Sequence, residues 1–511
     1  MPRVLIPAYP RSPHSSVMSN VNPGAKISAA TAATDLTQCS AHELLQLYRS
    51  GAASPVEATA AVLARIAALN PQLNAFCLVA GDDAMAAARA SEARWQAQRR
   101  GGAGVGNVVG ALDGVPASIK DLILTAGWPT LRGSRTVDPQ QAWDVDAPVS
   151  ARLREAGAVL LGKTCTPEFG CKGETNSPLT GITRNPWDLR KTPGGSSGGA
   201  AAAIAAGLGP LAVGTDGAGS VRIPGAFCGN VGMKPSFGRV PAYPLSPFGT
   251  VAHLGPHSLS VRDTALMLNV MKQPDARDWT SLPFDASDYR VGLDDGVRGL
   301  RIAFSPTLGY AKDVDVEVAA AVARAAASLQ ELGAIVEAVD PGFEDPLDIC
   351  TGLWFLGAAT VWSTLTPAQR AAADPDFSAE AALGETLTAL HVQQLNLRRG
   401  ALGAHMRQFM QRFDLLVTPS VAVPAFDAKP AGHSAMNPHA MLGWTPFSYP
   451  FNLTQQPAIT LPCGLTRAGL PIGVQIVGPM FGDALVLRAA RAFESITPAT
   501  RPSLDWAKRS P

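Results

Sequence analysis

Apolar residues recur with helical spacing at the start of the folded region. Val56, Ala60, Leu63 and Ala67 fall at steps of three and four, the stripe of an amphipathic helix. They follow Ser54-Pro55-Val56-Glu57, a capping box with proline at the first helical position. Ser40-Ala-His-Glu43 opens an earlier helix in the same way, ahead of Leu44, Leu45, Leu47 and Tyr48. Further on, the apolar runs are short and lack this period, so 115–119 and 158–161 predict buried strands. Residues 299–340 predict a β-α-β unit: a strand at 300–304, a helix over 315–332 that is acidic in its first turns and stopped by Gly333, and a strand at 335–339. Strands are predicted at 415–418 and 472–477, and a last helix at 483–494. The Pro/Asp-rich 273–298 reads as a long loop and 101–110 as a flexible Gly-rich connector. No internal repeat is present. The alternation predicts the α/β class: a single large domain with a central mixed β-sheet flanked by helices.

Composition narrows the class. With 511 residues, 46% hydrophobic and 16% charged, the chain builds a large core without disulfides or metal. Lys+Arg 42 against Asp+Glu 41 leaves +1, which gives no footing for nucleic acid or an anionic membrane. Seven cysteines, an odd number with no C-x-x-C pair, argue against a disulfide framework or a zinc site and for a reducing compartment, the cytoplasm. The first residues, MPRVLIPAYPRSPHSSVMSN, lack the continuous apolar run of a signal peptide. Residues 1–37 are expected to be a disordered or adventitious segment ahead of a folded domain at 38–505, with Met18 an alternative start. Between Lys191 and Asp216 lie 24 uncharged residues, the length of a membrane span. TPGGSSGG opens this stretch and GLGP interrupts it, so it predicts a Gly-rich loop and a buried Ala-rich helix.

Two motifs match a pattern but not its context. Gly157-Ala-Val-Leu-Leu-Gly162-Lys163-Thr164 fits the Walker A expression. A phosphate cradle needs an open loop between the glycines and a helix from the lysine; here an apolar strand lies between them and Pro167 follows. Gly194-Gly195-Ser196-Ser197-Gly198 fits G-x-S-x-G, yet no apolar strand precedes it as a nucleophile elbow requires. A Ser-His-Asp hydrolase would draw its histidine from His253, His257, His391 or His405. The eight histidines show no metal-ligand spacing.

Three segments carry a more specific chemistry. Gly114-Val-Pro-Ala-Ser-Ile-Lys120-Asp121 ends an apolar run in a lysine. Pro193-Gly-Gly-Ser196-Ser197-Gly-Gly199 sets two serines between paired glycines, before Ala200–Ala206. In Gly214-Thr-Asp216-Gly217-Ala218-Gly219-Ser220-Val221-Arg222-Ile-Pro224, small residues let backbone N–H groups converge near Ser220, as an oxyanion hole requires. A serine attacks an amide only when a base activates it, and a lysine serves as base only when burial keeps it neutral.

The strings GVPASIKD, TRNPWD, TPGGSSGGA, GTDGAGSVRIP, GMKPSFGR, TPSVAVPAF and GLPIGVQIVGP occur in an order that resembles the amidase signature family over roughly residues 38 to 496. The resemblance implies the amidase-signature fold and a Ser–Ser–Lys triad. Ser220 would be the nucleophile, Ser196 the bridging serine after a cis peptide, and Lys120 the base. Gly217, Ala218, Gly219 and Ser220 would supply the oxyanion N–H groups, with Ser197, Asp216 and Arg222 in support. Many members carry glycine where this chain has Ala218, which constrains the hole. Cys171 falls where the family often places a bulkier residue, and is expected to widen the pocket. Trp354 and Trp444, with Phe355, Trp362, Met441 and Phe447, are expected to line a substrate funnel, although core packing would explain such aromatics equally.

The activity implied is hydrolysis of small aryl or alkyl amides through an acyl-enzyme, with carbamates or ureas as further substrates, and without metal or organic cofactor. The string at 167–181 looks more like free-standing bacterial amidases than the catalytic A-type component of the glutamine-dependent amidotransferase, which stays as the alternative. A catalytically silent assembly subunit is the reading from another class. The expected partner is a small-molecule amide, with no nucleic acid or membrane, and the expected assembly is a homodimer.

Overall fold

Most strands of this chain are buried along their whole length, leaving no exposed face to alternate with. The computed structural model describes residues 35–101, 108–433 and 442–508. Its strands are β1 (Phe76–Val79), β2 (Pro116–Lys120), β3 (Val159–Thr164), β4 (Asn176–Ser177), β5 (Gly181–Ile182), β6 (Leu211–Asp216) and β7 (Val231–Lys234). They continue with β8 (His253–Ser258), β9 (Arg301–Phe304), β10 (Ile335–Ala338), β11 (Leu415–Pro419), β12 (Ala458–Leu465) and β13 (Pro471–Val477). β4 and β5 pair separately; the other 11 form one sheet in the order β1-β3-β2-β6-β8-β7-β12-β13-β11-β9-β10. β2 runs parallel to β3 and β6, and β9 parallel to β10 and β11, while the central pairs are antiparallel. The result is one large α/β domain around a mixed sheet.

Alternate strand residues feed two separate cores, as the two-residue period demands. Leu415, Val417, Ile459 and Ile476 pack with the helices Val261–Met271, Val316–Glu331 and Asp483–Glu494. Leu416, Ala458 and Val477 pack against the helix Leu347–Ser363. With both faces covered, the inner strands read as plain apolar runs.

Predicted and observed boundaries agree closely for the strongly patterned elements. Both capping boxes form, at Ser40 with Glu43 and at Ser54 with Glu57. The strand predicted at 115–119 lies one residue later, and that at 158–161 continues to Thr164. That extension disposes of the Walker A match: Lys163 is a buried strand residue whose Nζ donates to Thr130 Oγ1 at 2.8 Å and to the Ile123 carbonyl. The β-α-β unit appears as Arg301–Phe304, Val316–Glu331 and Ile335–Ala338, with Asp315 capping the helix. Residues 273–298 form the predicted long loop. Expectations for 1–34, for most of the 101–110 connector and for Met441 fall outside the described residues. Among the described residues no helix is long and apolar enough to cross a membrane.

The register brings the three distinctive segments together. Ala117, Ser118 and Ile119 pair with Leu211, Ala212 and Val213, so parallel β2 and β6 end side by side, at Lys120 and at Thr215–Asp216. The 24-residue uncharged stretch becomes a loop, the buried helix Gly198–Ala205 and β6. This helix starts against β3: a Cβ on Gly199 would lie 2.5 Å from both the Ala75 carbonyl oxygen and the Cys165 amide nitrogen. Gly199→Ala is therefore expected to force the helix off the sheet and cost about 1–3 kcal/mol. Urea denaturation tests this, and an unchanged midpoint would show that the junction yields freely.

Candidate active site

Lys120 is fully buried, and its Nζ meets three hydroxyl groups: Ser196 Oγ at 2.6 Å, Ser197 Oγ at 3.0 Å and Thr215 Oγ1 at 2.8 Å. Burial pushes its pKa well below the ordinary lysine value, and Asp216 opposes this only in part. Ser197 Oγ donates to the Thr215 carbonyl at 3.1 Å and accepts from the Thr215 N–H at 3.2 Å. Its proton is therefore already committed, and toward Lys120 it can only accept. A Cβ on Gly214 would stand 2.8 Å from this oxygen, so the glycine is what admits the Ser197 side chain. The peptide bond between Gly195 and Ser196 is cis.

Ser220 sits after β6 on a turn organised by one carboxylate. Asp216 Oδ1 accepts the Gly219 N–H at 2.8 Å, and Oδ2 accepts those of Val221 and Arg222 at 3.2 and 3.4 Å. Arg222 grips both carboxylate oxygens at 2.9 Å, a bidentate pair with both side chains at 0% exposure. The rest of the guanidinium is satisfied by the Ser448 carbonyl at 3.0 Å, Gln475 Oε1 at 2.7 Å and Asn452 Oδ1 at 2.5 Å. Asn452 Nδ2 also donates to Asp216 Oδ1 at 2.8 Å. Burial alone would raise the Asp216 pKa, but Arg222, Lys234 and Asn452 together hold it far below the usual carboxylate range.

This turn corrects one expectation. The Gly219 N–H is taken by Asp216, so it is not available to an oxyanion. Among the described residues no acceptor takes the N–H of Gly217, Ala218 or Ser220, and these three remain. The Ala218 carbonyl is fixed by Ser448 Oγ at 2.7 Å, and a Cβ on Gly219 would fall 2.4 Å from that same oxygen.

Ser196 and Ser220 line one cleft of about 170 Å³, together with Thr215, Gly217 and Trp354. A cavity of about 150 Å³ holds a benzene ring, so an aryl group or a short acyl chain fits here. Trp354 leans on the Gly217 backbone, where a Cβ would lie 2.7 Å from its ring. It stacks on Phe248 at 4.1 Å and donates Nε1–H to the Cys171 carbonyl at 2.8 Å.

The other aromatic expectations do not hold. Trp444 stacks on Phe227 at 5.7 Å in a separate cluster and does not line the cleft. Cys171 is fully buried among Phe169, Ala358 and Phe377 and does not itself line the cleft. Phe355 and Phe447 are core, and Trp362 packs on Phe377. The wall is built instead by residues 235–254, notably Phe237, Tyr243, Leu245 and Phe248. Tyr243 and Leu245, 39% and 54% exposed, mark where it opens to solvent. The Pro-, Ser- and Gly-rich sequence of that segment shows no periodicity, and its cluster of apolar residues between prolines was the one available signal.

His253 is the one among the four histidine candidates that lines the cleft. Its Nδ1 lies 2.8 Å from the Val251 carbonyl, so Nδ1 carries the proton. Burial, then Lys234, drives its pKa well below 6.5, and among the described residues no carboxylate bonds the ring. His257 and His405 bond Asn230 and the Pro341 carbonyl away from the cleft, and His391 is on the surface.

Asp216→Asn would leave Arg222 buried without a countercharge and is expected to cost about 3–5 kcal/mol. Because the Asp216 pKa is depressed by folding, the wild type keeps this contribution above the ordinary carboxylate pKa and loses it only as pH falls below about 4. The variant should lack it at every pH. Melting curves from pH 4 to 8 test this, and a constant wild-type-like Tm would refute it.

The amidase family model matches residues 57–487. An acylamidase of Rhodococcus erythropolis is 39% identical over 479 residues, covering 92% of this chain and 97% of that protein. The A-type component of the glutamyl-tRNA(Gln) amidotransferase of Chloroflexus aggregans is 36% identical over 501 residues, covering 93% of this chain and 98% of that protein. The crystal structure of a bacterial aryl acylamidase of the amidase signature family superposes with a TM-score of 0.82 at 32% identity, covering 90% of this chain and 96% of the other. Sequence, fold and the grouping of the three motif segments at the ends of β2 and β6 thus agree, and the chain belongs to the amidase signature family of amidohydrolases.

Proposed function

We propose that this chain is a stand-alone serine amidohydrolase that cleaves small aryl or alkyl amides through an acyl-enzyme on Ser220. The observation that carries this reading is the Lys120 amine, buried among hydroxyl groups, one of which, Ser196, shares a cleft with Ser220. A neutral amine has two hydrogens and one lone pair. Ser197 can only accept from it, and Thr215 Oγ1 takes the second hydrogen, so the lone pair faces the Ser196 hydroxyl. Ser196 passes its proton to Lys120 as it takes one from Ser220, and Ser220 Oγ attacks the carbonyl carbon. The N–H groups of Gly217, Ala218 and Ser220 hold the oxygen as it gains charge. When the C–N bond breaks, Ser196 returns a proton to the departing nitrogen, and Lys120 returns one to Ser196. Water then hydrolyses the ester by the same path, releasing acid and restoring Ser220. The Asp216–Arg222 clamp holds the turn in place throughout.

The cleft size and the acylamidase relative support simple amides; carbamates and ureas present the same carbonyl and are further candidates. A second reading is the A-type component of an amidotransferase, which the 36% identity to such a protein favours. The two separate in one assay. The purified chain alone, given a 4-nitroanilide of a short acyl group, should release nitroaniline, and the quenched protein should carry the acyl group on the peptide containing Ser220. No release and no adduct would count against the stand-alone reading.

Ser220→Ala should lower turnover by roughly 10⁴-fold or more with a near-wild-type Tm. Appreciable residual turnover would indicate another nucleophile. Lys120→Met should lower kcat/KM by roughly 10²–10⁴-fold. Since only the neutral amine accepts a proton, wild-type kcat/KM should fall on the acid side, as pH drops through the depressed Lys120 pKa. A pH profile with no acidic limb would rule out Lys120 as base.

A further inference from the structure

Among the described residues two charged side chains line the cleft, and they are not equivalent. Asp278 is consumed by its own loop: Oδ1 accepts from Thr280 N and Oγ1 at 2.8 and 2.7 Å, and Oδ2 from Ala242 N at 2.8 Å. Arg132 has no such commitments. Among the described residues its guanidinium makes no hydrogen bond and no ion pair, although the residue is half-buried in a mostly apolar cleft. Its five donors have no protein acceptor and are open to one that a ligand brings into the cleft.

The backbone that presents this side chain is fixed from both sides. Arg132 adopts φ 58°, the left-handed region that a long side chain seldom occupies. The buried Asp121 carboxylate holds the turn there, accepting the N–H groups of Leu131 and Gly133 at 3.1 Å each. Those oxygens serve the backbone, and Asp121 acts on the guanidinium only as a nearby charge. The Arg132 carbonyl accepts the Phe169 N–H at 2.8 Å, and a Cβ on Gly133 would lie 2.5 Å from the Thr166 carbonyl oxygen. An uncommon backbone conformation, held by a buried carboxylate and presenting an unpaired cation, is the form that ligand clamps take.

Its place relative to the chemistry follows from the same contacts. The Phe169–Gly170 turn, to which Arg132 is bonded, abuts Ser196: a Cβ on Gly170 would stand 3.2 Å from Ser196 Oγ. On the mechanism above, Ser196 delivers the proton to the departing nitrogen. On that mechanism the Ser196 side of the cleft, where the turn bonded to Arg132 lies, is the side that receives the departing amine.

We propose that Arg132 is a specificity residue that binds a carboxylate on the amine portion of the substrate, so that the preferred amides are N-acyl amino acids or N-acyl aminobenzoates. This rests on the amidohydrolase reading of the same site. The planar guanidinium fork suits a carboxylate bidentately, which a lysine cannot reproduce. When the C–N bond breaks, the amine leaves with the proton from Ser196 while its carboxylate is still paired to Arg132. Water then takes the acyl group as the free acid.

The test compares butyryl 4-nitroanilide with butyryl 3-carboxy-4-nitroanilide, which differ by one carboxylate on the amine arm and both release a coloured amine. Glutaryl 4-nitroanilide carries the carboxylate on the acyl arm instead. Arg132→Met is expected to lower kcat/KM for the carboxylated anilide by about tenfold or more and to leave the neutral one within about twofold. Arg132→Lys should recover only part of the loss. Equal effects on both butyryl substrates, or an effect confined to the glutaryl one, would overturn the assignment. A thermal shift with 5-acetamido-2-nitrobenzoate separates this outcome from failure of the hydrolytic reading. If no anilide is cleaved but the compound stabilises the wild type and not Arg132→Met, anion recognition stands without hydrolysis. If it stabilises both alike, the proposal fails.

Discussion

An amine taken fully out of water and given no carboxylate to lean on sets the terms for everything around it. Lys120 is surrounded by hydroxyl groups, which can share protons with it but cannot neutralise a charge. The nearest threat to its neutrality is Asp216, four residues before Ser220 and close enough to favour the charged form. The protein answers with Arg222. The carboxylate is bound bidentately and saturated by backbone N–H groups and Asn452, so its field is largely spent inside its own network. One ion pair therefore does two things: it shapes the turn that presents Ser220, and it sets a positive charge against the carboxylate that favours protonated Lys120. The His253 pKa is pushed down by burial in the same region, with Lys234 adding to the effect.

Much of this was legible because it is written in contiguous sequence. The strings around Lys120, Ser196 and Ser220 each form one local structure: a strand end, a glycine-bounded loop, a turn after a strand. Regular elements with strong signals, such as the Asp315-capped helix and the two capping boxes, were placed within a residue or two. The Walker A match failed for the reason the apolar run between its glycines supplies. What the sequence does not carry is pairing between distant segments. β8, with the sequence HLGPHS, has none of the β-branched signature of a strand, and it forms because β6 and β7 flank it. Ser448, Asn452 and Gln475 gave no sign of serving Arg222 from more than two hundred residues away.

The cleft wall was the least legible part. Sequence reasoning looked to the aromatics of 345–450, and the fold used most of them as core. A tryptophan in an apolar stretch has the same appearance whether it faces a ligand or a neighbouring helix. Among the described residues of that segment Trp354 alone reaches the cleft, because Gly217 leaves room for its ring. Gly219 was misassigned for a related reason. Small residues announce that backbone N–H groups can converge, but not which of them a neighbouring carboxylate has already taken.

The reach of Arg222 bears on how the enzyme comes into being on the ribosome. Its partners at Ser448, Asn452 and Gln475 lie 226, 230 and 253 residues further along the chain. The serines, the lysine and the turn glycines are all synthesised in the first half of the polypeptide, and domains form only as their contacts emerge. Until those segments appear, the guanidinium lacks three of the groups that close its shell, and the turn beside Ser220 rests on its local bonds to Asp216 alone. A nascent or C-terminally truncated chain thus holds Lys120, Ser196 and Ser220 without the distant groups that complete the Arg222 shell.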